Sequence, residues 1–440
     1  MQAKERREHA RVHASDIAGA GGRVLSVRGL VSALTQPLLL VAIWIGVAGH
    51  LALVIEQAVA RQTRWDFSHY YVSALATREG LDPYRVDLRP LAARLGLEGI
   101  GRATYPPLFI LGFEPLTLMA PHAAWWTWFA INLIALAASL FILIALAEGS
   151  GIRERLAIAA LLLLFPPLGV HIFYSQTQLL ILLLLVVTLY ELGRDRDAIA
   201  GTLIGLAALI KVFPIVMIGY LIVRRRWRAV AATVVTLAAG IAAVVIALGT
   251  HRTSGFAAGA HDVMSREFIA RPANIAFGSF VSRLFWDIAG MDAGGAVDAA
   301  RRIAVIGAEL GLLGLTVAAT VRRYQPGEEW RAYSLWIVTT IMLAPTAWIH
   351  YMVLLFVPFA LTAMAGWRGR VSAHALWLMF GSYGLVTAAM AIAPVLTMGS
   401  AIRQVIEEAP SLALMLAYAS AYSIAIEGSG WVQIQPAHEG

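Results

Sequence analysis

Hydrophobic residues in this chain fall in long unbroken runs, not in alternating or one-sided stripes. Runs of membrane-spanning length recur from residue 37 to residue 427, which predicts an all-α polytopic membrane protein. Short alternating strands of the kind that build a β-barrel are not visible. Pro37 to Ile55 is the first run. Residues 57–102 then form the first long polar interval, mixed in charge and expected to hold short amphipathic helices. Tyr105 to Met119 is apolar again, but a helix of that length reaches only about 22 Å. Pro106, Pro107 and Pro115 interrupt it, and an interior proline costs a helix about 3 kcal/mol. It is therefore expected to dip into the membrane or lie along it.

The remaining spans are expected at 123–147, 156–170, 178–192, 199–211, 212–223, 229–249, 303–321, 332–349, 350–366, 371–394 and 410–427. Together with the first they make twelve crossings. This count places every short arginine-bearing connection on the side of the N-terminus: Arg153/Arg155, Arg194/Arg196, Arg224 to Arg228, Arg322/Arg323 and Arg368/Arg370. The positive-inside rule then assigns that side, and both termini, to the cytoplasm of a bacterial-type plasma membrane. Counting 105–119 as a crossing would put Arg153 and Arg155 outside. The expected organisation is a basic cytoplasmic tail over 1–29, one membrane domain over 30–427 and a short cytoplasmic tail over 428–440. External regions fall at 57–122 and 250–302. No cleavable signal precedes the first span, so the span itself directs insertion.

Composition narrows the chemistry. Hydrophobic residues make up 59% of the chain and charged residues 14%, so a soluble globular protein is excluded. Cysteine is absent, which rules out thiol nucleophiles, thiolate metal sites and disulfides. The net charge of +7 is largely arginine in short loops, suited to anionic lipid headgroups; nothing points to nucleic acid. The spans at 156–170, 199–211 and 212–223 are too short for a hydrocarbon core of about 30 Å. Short helices that end below the surface leave a protein-lined cavity, a common place for a buried site.

Unusual polar residues gather at the expected external face. Asp66 stands just past the first span among Trp65, Phe67, His69, Tyr70 and Tyr71. It reads either as a cap for a helix beginning near Ser68 or as a general base taking a proton from a hydroxyl. Lys211 interrupts the apolar run ALIKVFP, either snorkelling to the interface or neutralising a lipid phosphate. Gln176 and Gln178 either satisfy the backbone at a break between short helices or hydrogen-bond a sugar. Arg271 pairs with Asp262 or helps hold phosphate. Tyr70, Tyr105, Asn274, His350 and Tyr351 complete the expected substrate-binding set. Glu114 is the reserve base, although a paired structural role suits it better. Asp195-Arg196-Asp197 matches a metal-binding D-x-D pattern weakly and reads as a charged cytoplasmic turn. Neither a metal nor a cofactor is expected.

Taken together these motifs resemble the GT-C superfamily of membrane glycosyltransferases, and within it glycosyltransferase family 87, the polyprenyl-phosphate-mannose-dependent mannosyltransferases. The pieces are Asp66-Phe67 with Tyr70-Tyr71, Gly80-Leu81-Asp82-Pro83-Tyr84, Tyr105-Pro106-Pro107-Leu108 and Ser175-Gln176-Thr177-Gln178. Further pieces are Ala200-Gly201, Gly205-Leu206-Ala207, Lys211, Pro214 and the following Arg-Arg-Arg-Trp-Arg. They lie in the first half of the chain; later only Trp348-Ile349-His350-Tyr351 is familiar. Where the family commonly has Gly-Gln-x-Asn, this chain has Ser-Gln-Thr-Gln. The resemblance implies a GT-C-like fold, Asp66 as catalytic base, a polyprenyl-phosphate-linked sugar as donor and a glycolipid or glycan as acceptor. The expected enzyme is an inverting glycosyltransferase with an external, periplasmic-type active site. A lipid or sugar transporter would instead predict charges near the bilayer midplane and related halves. A non-catalytic partner in envelope assembly is the third reading.

Overall fold

In the computed structural model the described residues are 35–60, 65–98, 101–146, 151–263, 266–289, 295–322, 324–325, 327–392 and 400–427. Both terminal tails expected from the sequence, 1–29 and 428–440, therefore lie outside the described residues. Helix α1 is Pro37–Ala60. The polar interval supplies α2 (Trp65–Arg78), α3 (Arg89–Arg94) and α4 (Pro107–Phe113), the last continued by a 3-10 segment Glu114–Leu118. Next come α5 (Pro121–Ala145), α6 (Ile152–Leu163), α7 (Pro166–Tyr174), α8 (Gln178–Leu192) and α9 (Asp197–Ile210). A 3-10 turn Phe213–Val216 leads into α10 (Met217–Val223), and α11 is Trp227–Thr250. Two shorter helices follow, α12 (Arg266–Ala270) and α13 (Phe277–Ala289), then the long α14 (Gly295–Thr320) and the buried α15 (Trp330–Met342). The 3-10 segment Ile349–Leu355 runs into α16 (Phe356–Trp367), and α17 (Ala373–Ile392) pairs with α18 (Ser400–Glu427). Among the described residues no strand forms; one isolated bridge joins Asn274 to Trp348.

Seven helices are long and apolar enough to cross a membrane, eight with the bent pair α6 and α7 counted as one. With the shorter α8, α9, α10 and α15, a helix stands on each of the twelve stretches expected as spans. Helices α14 and α18 begin earlier than the spans expected at 303 and 410, and two spans differ in shape. The span expected at 156–170 is two helices bent by 53°, because Pro166 and Pro167 remove backbone donors and favour a fresh helix start. The span expected at 332–349 stops at Met342, and the chain turns before the 3-10 segment. Residues 107–118 form only about 20 Å of helix. Pro107 opens it and Pro115 tightens its second half into a 3-10 segment.

The passes join two ends with different chemistry. At one end Arg226 pairs with Asp195 (2.6 Å), Asp197 (3.2 Å) and Glu329 (3.2 Å), and Arg224 pairs with Glu329 (3.0 Å). Nearby, buried Arg331 donates to the carbonyl of Arg370 (2.9 Å), and Ser372 to Glu427 (2.6 Å). The Asp195–Asp197 pattern is thus a charged turn neutralised by Arg226. At the opposite end stand the region of α2 to α4, the α7–α8 corner, the end of α9 and the turn before α16. Residues 350–366 are all buried, whereas α1 is mostly uncovered, with Leu38, Val41 and Ile45 exposed. Apolar surface of that kind suits contact with lipid chains.

Two glycines fix where α9 ends. Gly201 and Gly205 lie one turn apart and face α11. A Cβ at Gly201 would stand 2.0 Å from the Ala229 carbonyl oxygen, and one at Gly205 2.7 Å from Thr236 Cβ. Thr233 Oγ1 donates to the Gly201 carbonyl (2.9 Å). Small residues at this spacing let two membrane helices touch along their backbones. Gly201→Ala should therefore cost about 1–3 kcal/mol through overpacking, read as a lower thermal midpoint in detergent. Gly46→Ala, where nothing lies within 4 Å, should leave the midpoint unchanged; equal midpoints for both variants would refute the packing account.

Candidate active site

Asp66 lies in the first turn of α2. The capping role expected for a helix starting near Ser68 does not fit, because the helix has already begun at Trp65. Its carboxylate instead faces the positive end of the helix dipole and groups brought from elsewhere. The polar interval folds back onto α2 to make this possible. Ser68 Oγ donates to the Glu98 carbonyl, His69 Nε2 contacts the Arg102 carbonyl (3.0 Å), and Tyr71 OH donates to the Met119 carbonyl (2.8 Å). Asp82 caps the turn at Tyr84 (3.0 Å), and Tyr84 OH donates to the Tyr105 carbonyl (2.7 Å). The Gly-Leu-Asp-Pro-Tyr motif thereby sets Tyr105.

Tyr105, Tyr70 and Gln176 then meet at Asp66. Tyr105 OH lies 3.4 Å from Asp66 Oδ1 and 3.3 Å from Gln176 Oε1. Tyr70 OH lies 3.0 Å from Tyr105 OH and 3.2 Å from Gln176 Oε1. Gln176 and Tyr105 both hydrogen-bond the Asp66 carboxylate. Some of these contacts are long, as catalytic hydrogen bonds often are before substrate arrives. Edge-on rings of Tyr70, Tyr105, Phe109 and Phe113 wall the cluster.

Gln176 owes its place to the corner between α7 and α8. Ser175 is left-handed there (φ 54°, ψ 45°), a conformation costing an L-residue roughly 1–2 kcal/mol. Trp125 Nε1 donates to Ser175 Oγ (3.0 Å) and Trp128 Nε1 to the Ser175 carbonyl (2.8 Å). Lys211 arrives from the other side, as the residue that closes α9 just before Val212 and the Phe213–Val216 turn. Its ammonium is 3.5 Å from Gln176 Oε1 and lies over the rings of Tyr351 (4.5 Å) and Tyr105 (5.2 Å). Such faces stabilise a cation that has lost water.

Burial pushes the Asp66 carboxyl above the ordinary carboxylate range; Lys211, Gln176 and Tyr105 pull it back towards ionisation. Burial and the Asp66 charge raise the Tyr105 phenol well above its ordinary value, so Tyr105 remains a donor. The arrangement therefore holds one carboxylate, one ammonium and two phenols around a single carboxamide. It can accept a proton and stabilise an anion a few ångströms away.

Six expected residues converge here: Asp66, Tyr70, Tyr105, Gln176, Lys211 and Tyr351. His350 is buried beside Tyr351 and Tyr174, within electrostatic reach of Lys211 and His171. Gln178 is fully buried at the start of α8, with neither amide atom hydrogen-bonded among the described residues. Asn274 is different. Its Oδ1 accepts from the amides of Ala347 (3.0 Å) and Ala276 (3.3 Å), and its Nδ2 donates to the Phe268 carbonyl (3.2 Å). These bonds make it a clamp between the 268–276 segment and the turn before residue 349. Arg271 is exposed, with its guanidinium over the Phe268 ring (4.5 Å); the Asp262 side chain expected to pair with it lies outside the described residues. Glu114, the reserve base, opens the 3-10 segment after α4 and feels the charge of Arg78 at the far end of α2, and it is not among the groups acting on Asp66.

Sequence reasoning passed over Trp125, Trp128 and buried Arg283. Arg283 pairs with Glu408 and donates to the carbonyls of Asn274 (2.9 Å) and Arg271 (3.1 Å), holding the 271–274 segment in place. Three tryptophans at positions 125, 126 and 128 were the available signal for the indole pair.

The profile described as glycosyltransferase family 87 matches residues 103–346. That range contains Tyr105, Gln176 and Lys211 and begins after Asp66. No curated protein matches the chain. Among solved structures, ArnT from Cupriavidus metallidurans bound to undecaprenyl phosphate is similar at 14% identity and a TM-score of 0.40. The similarity covers 88% of this chain and 77% of that one.

Proposed function

Because the chain belongs to glycosyltransferase family 87, whose profile spans more than half of it, we propose that it moves a sugar from a polyprenyl phosphate to a glycolipid or glycan acceptor. Mannose is the first candidate sugar. The observation that carries this reading is the single carboxylate of Asp66 sharing Gln176 with the single ammonium of Lys211. Transfer with inversion needs one base, and one cation for the departing phosphate. Asp66 takes the proton of the acceptor hydroxyl as its oxygen bonds the anomeric carbon. The bond from that carbon to the donor phosphate oxygen breaks, and its electron pair leaves with the polyprenyl phosphate. Lys211 neutralises the charge that develops there. Tyr70, Tyr105, Tyr351, His350 and Gln178 line the space around the reacting atoms, and Arg271 is a weaker candidate for the phosphate. A retaining mechanism would need a second carboxylate about 5 Å away, and among the described residues the groups acting on Asp66 are Lys211, Gln176 and Tyr105, with no carboxylate among them. Incubation of the purified protein with radiolabelled polyprenyl-phosphate-mannose and membrane lipid extract tests the reading. Label should move into a new lipid or glycan product; unchanged donor would refute it for this sugar.

We further propose that the end carrying Asp66 faces the outside of a bacterial-type plasma membrane, with both termini cytoplasmic. Support comes from the arginines at the opposite end, at 194–196, 224–228, 322 and 368–370, as the positive-inside rule requires. Reporter fusions after Arg228 and Arg370 should read as cytoplasmic, and an insertion near Gly96 as external. A cytoplasmic signal at Gly96 would reverse the assignment.

A further inference from the structure

The corner that carries Gln176 is held more firmly than a helix end requires. Helices commonly close on a glycine in the left-handed region; here Ser175 occupies it. Both of its polar oxygens are taken by indole N–H groups from one turn of α5, Oγ by Trp125 and the carbonyl by Trp128. All three residues are buried. The Ser175 and Gln176 amides donate back to Ile172 and His171 (3.1 and 3.2 Å), so the backbone on either side of the Ser175–Gln176 peptide is fixed. Trp128 reaches the same hub by a second route. Its ring lies edge-on to Tyr70 (5.9 Å), whose hydroxyl lies 3.2 Å from Gln176 Oε1.

We propose that Trp125 and Trp128 are positioning residues: by locking Ser175 in its left-handed conformation they aim Gln176, and through it orient Asp66 and Lys211. The proposal rests on the reading of Asp66 as the base, since that is what makes its orientation matter for transfer. Neither indole is placed to touch the reacting atoms. An L-residue released from these two bonds would relax towards a right-handed or extended backbone, and the carboxamide one residue later would swing away. Asp66 would then lose a donor that favours its ionised form. The titratable groups facing Asp66 are Lys211 from the end of α9, Tyr105 from the loop before α4, Tyr351 from the 349–355 segment and Tyr70 on its own helix. All of them remain in the variants below.

The test is an infrared titration of the purified full-length protein in lipid nanodiscs, with the Asp66 band isolated by subtracting Asp66→Asn. Trp128→Phe keeps an aromatic ring against Tyr70 and removes only the N–H. It should move the Asp66 midpoint upward by on the order of one pH unit, in the direction that Gln176→Leu also moves it. Trp128→Phe combined with Gln176→Leu should move it no further than Gln176→Leu alone. Ser175→Gly in the Trp128→Phe background should bring the midpoint back towards wild type, because glycine adopts this backbone unaided. A folded Trp128→Phe protein titrating at the wild-type midpoint would overturn the proposal, as would fully additive shifts in the double variant. Should Trp128→Phe fail to fold, Trp125→Phe with and without Ser175→Gly supports the same comparison. Undiminished transfer by Asp66→Asn would remove the base reading instead, and the titration would still decide whether the indoles position Gln176.

Discussion

Asp66→Asn is expected to lower sugar transfer by about 10²–10⁴-fold while leaving the protein folded and able to bind the lipid donor. The substitution keeps the size and shape of the side chain. Tyr105 can still donate to the amide oxygen, and α2 keeps its packing through Phe67, Tyr70 and Tyr71, all buried. What is lost is the ability to take a proton. Burial raises the Asp66 carboxyl, so the wild-type rate should climb with pH through a range above that of an ordinary carboxylate, as more of the base becomes ionised. In Asp66→Asn that limb should vanish along with the activity. Donor binding measured by tryptophan quenching, set beside single-turnover transfer, separates the two effects. Transfer at the wild-type rate would remove Asp66 from the mechanism. Loss of the folded protein would make the residue structural, a result unexpected for a carboxylate whose partners are Tyr105, Gln176 and Lys211.

The pass structure was readable in the sequence because membrane spans are written as composition, and all twelve expected spans fall on helices. The exceptions have local causes. Prolines 166 and 167 split one span, and the one ending at Met342 overran because the turn after it, LAPTAWIH, is itself mostly apolar. Within the site, Asp66, Gln176 and Lys211 stood out as polar residues interrupting apolar or aromatic surroundings. Their convergence was not legible, since it depends on Gly201 and Gly205 seating α9 against α11 and on a left-handed serine. Asn274 shows the opposite failure. A polar residue in an outer segment looks like a ligand until its three backbone partners are seen. Tryptophans in a span read as core or interface, so nothing in periodicity marks the N–H groups of Trp125 and Trp128 as a clamp.

Lys211→Met should be the second severe variant, with a signature that Asp66→Asn cannot produce. Methionine preserves much of the stem that lies over Tyr105 and Tyr351 and deletes the charge. A lipid phosphate leaving without its cation should slow transfer by about 10²–10³-fold, the scale seen when one preorganised stabilising group is removed, and donor binding should weaken as well. There is also a pH effect with a definite sign. The ammonium favours the ionised form of Asp66 against burial. Without it the carboxyl rises further, and the acid limb of kcat/KM moves to higher pH. The deficit relative to wild type should therefore be larger near pH 6 than near pH 8. A lysine that merely snorkels to the interface makes neither prediction. Wild-type donor affinity together with a deficit independent of pH would return Lys211 to that role, and would leave Arg271 as the remaining candidate for the departing phosphate.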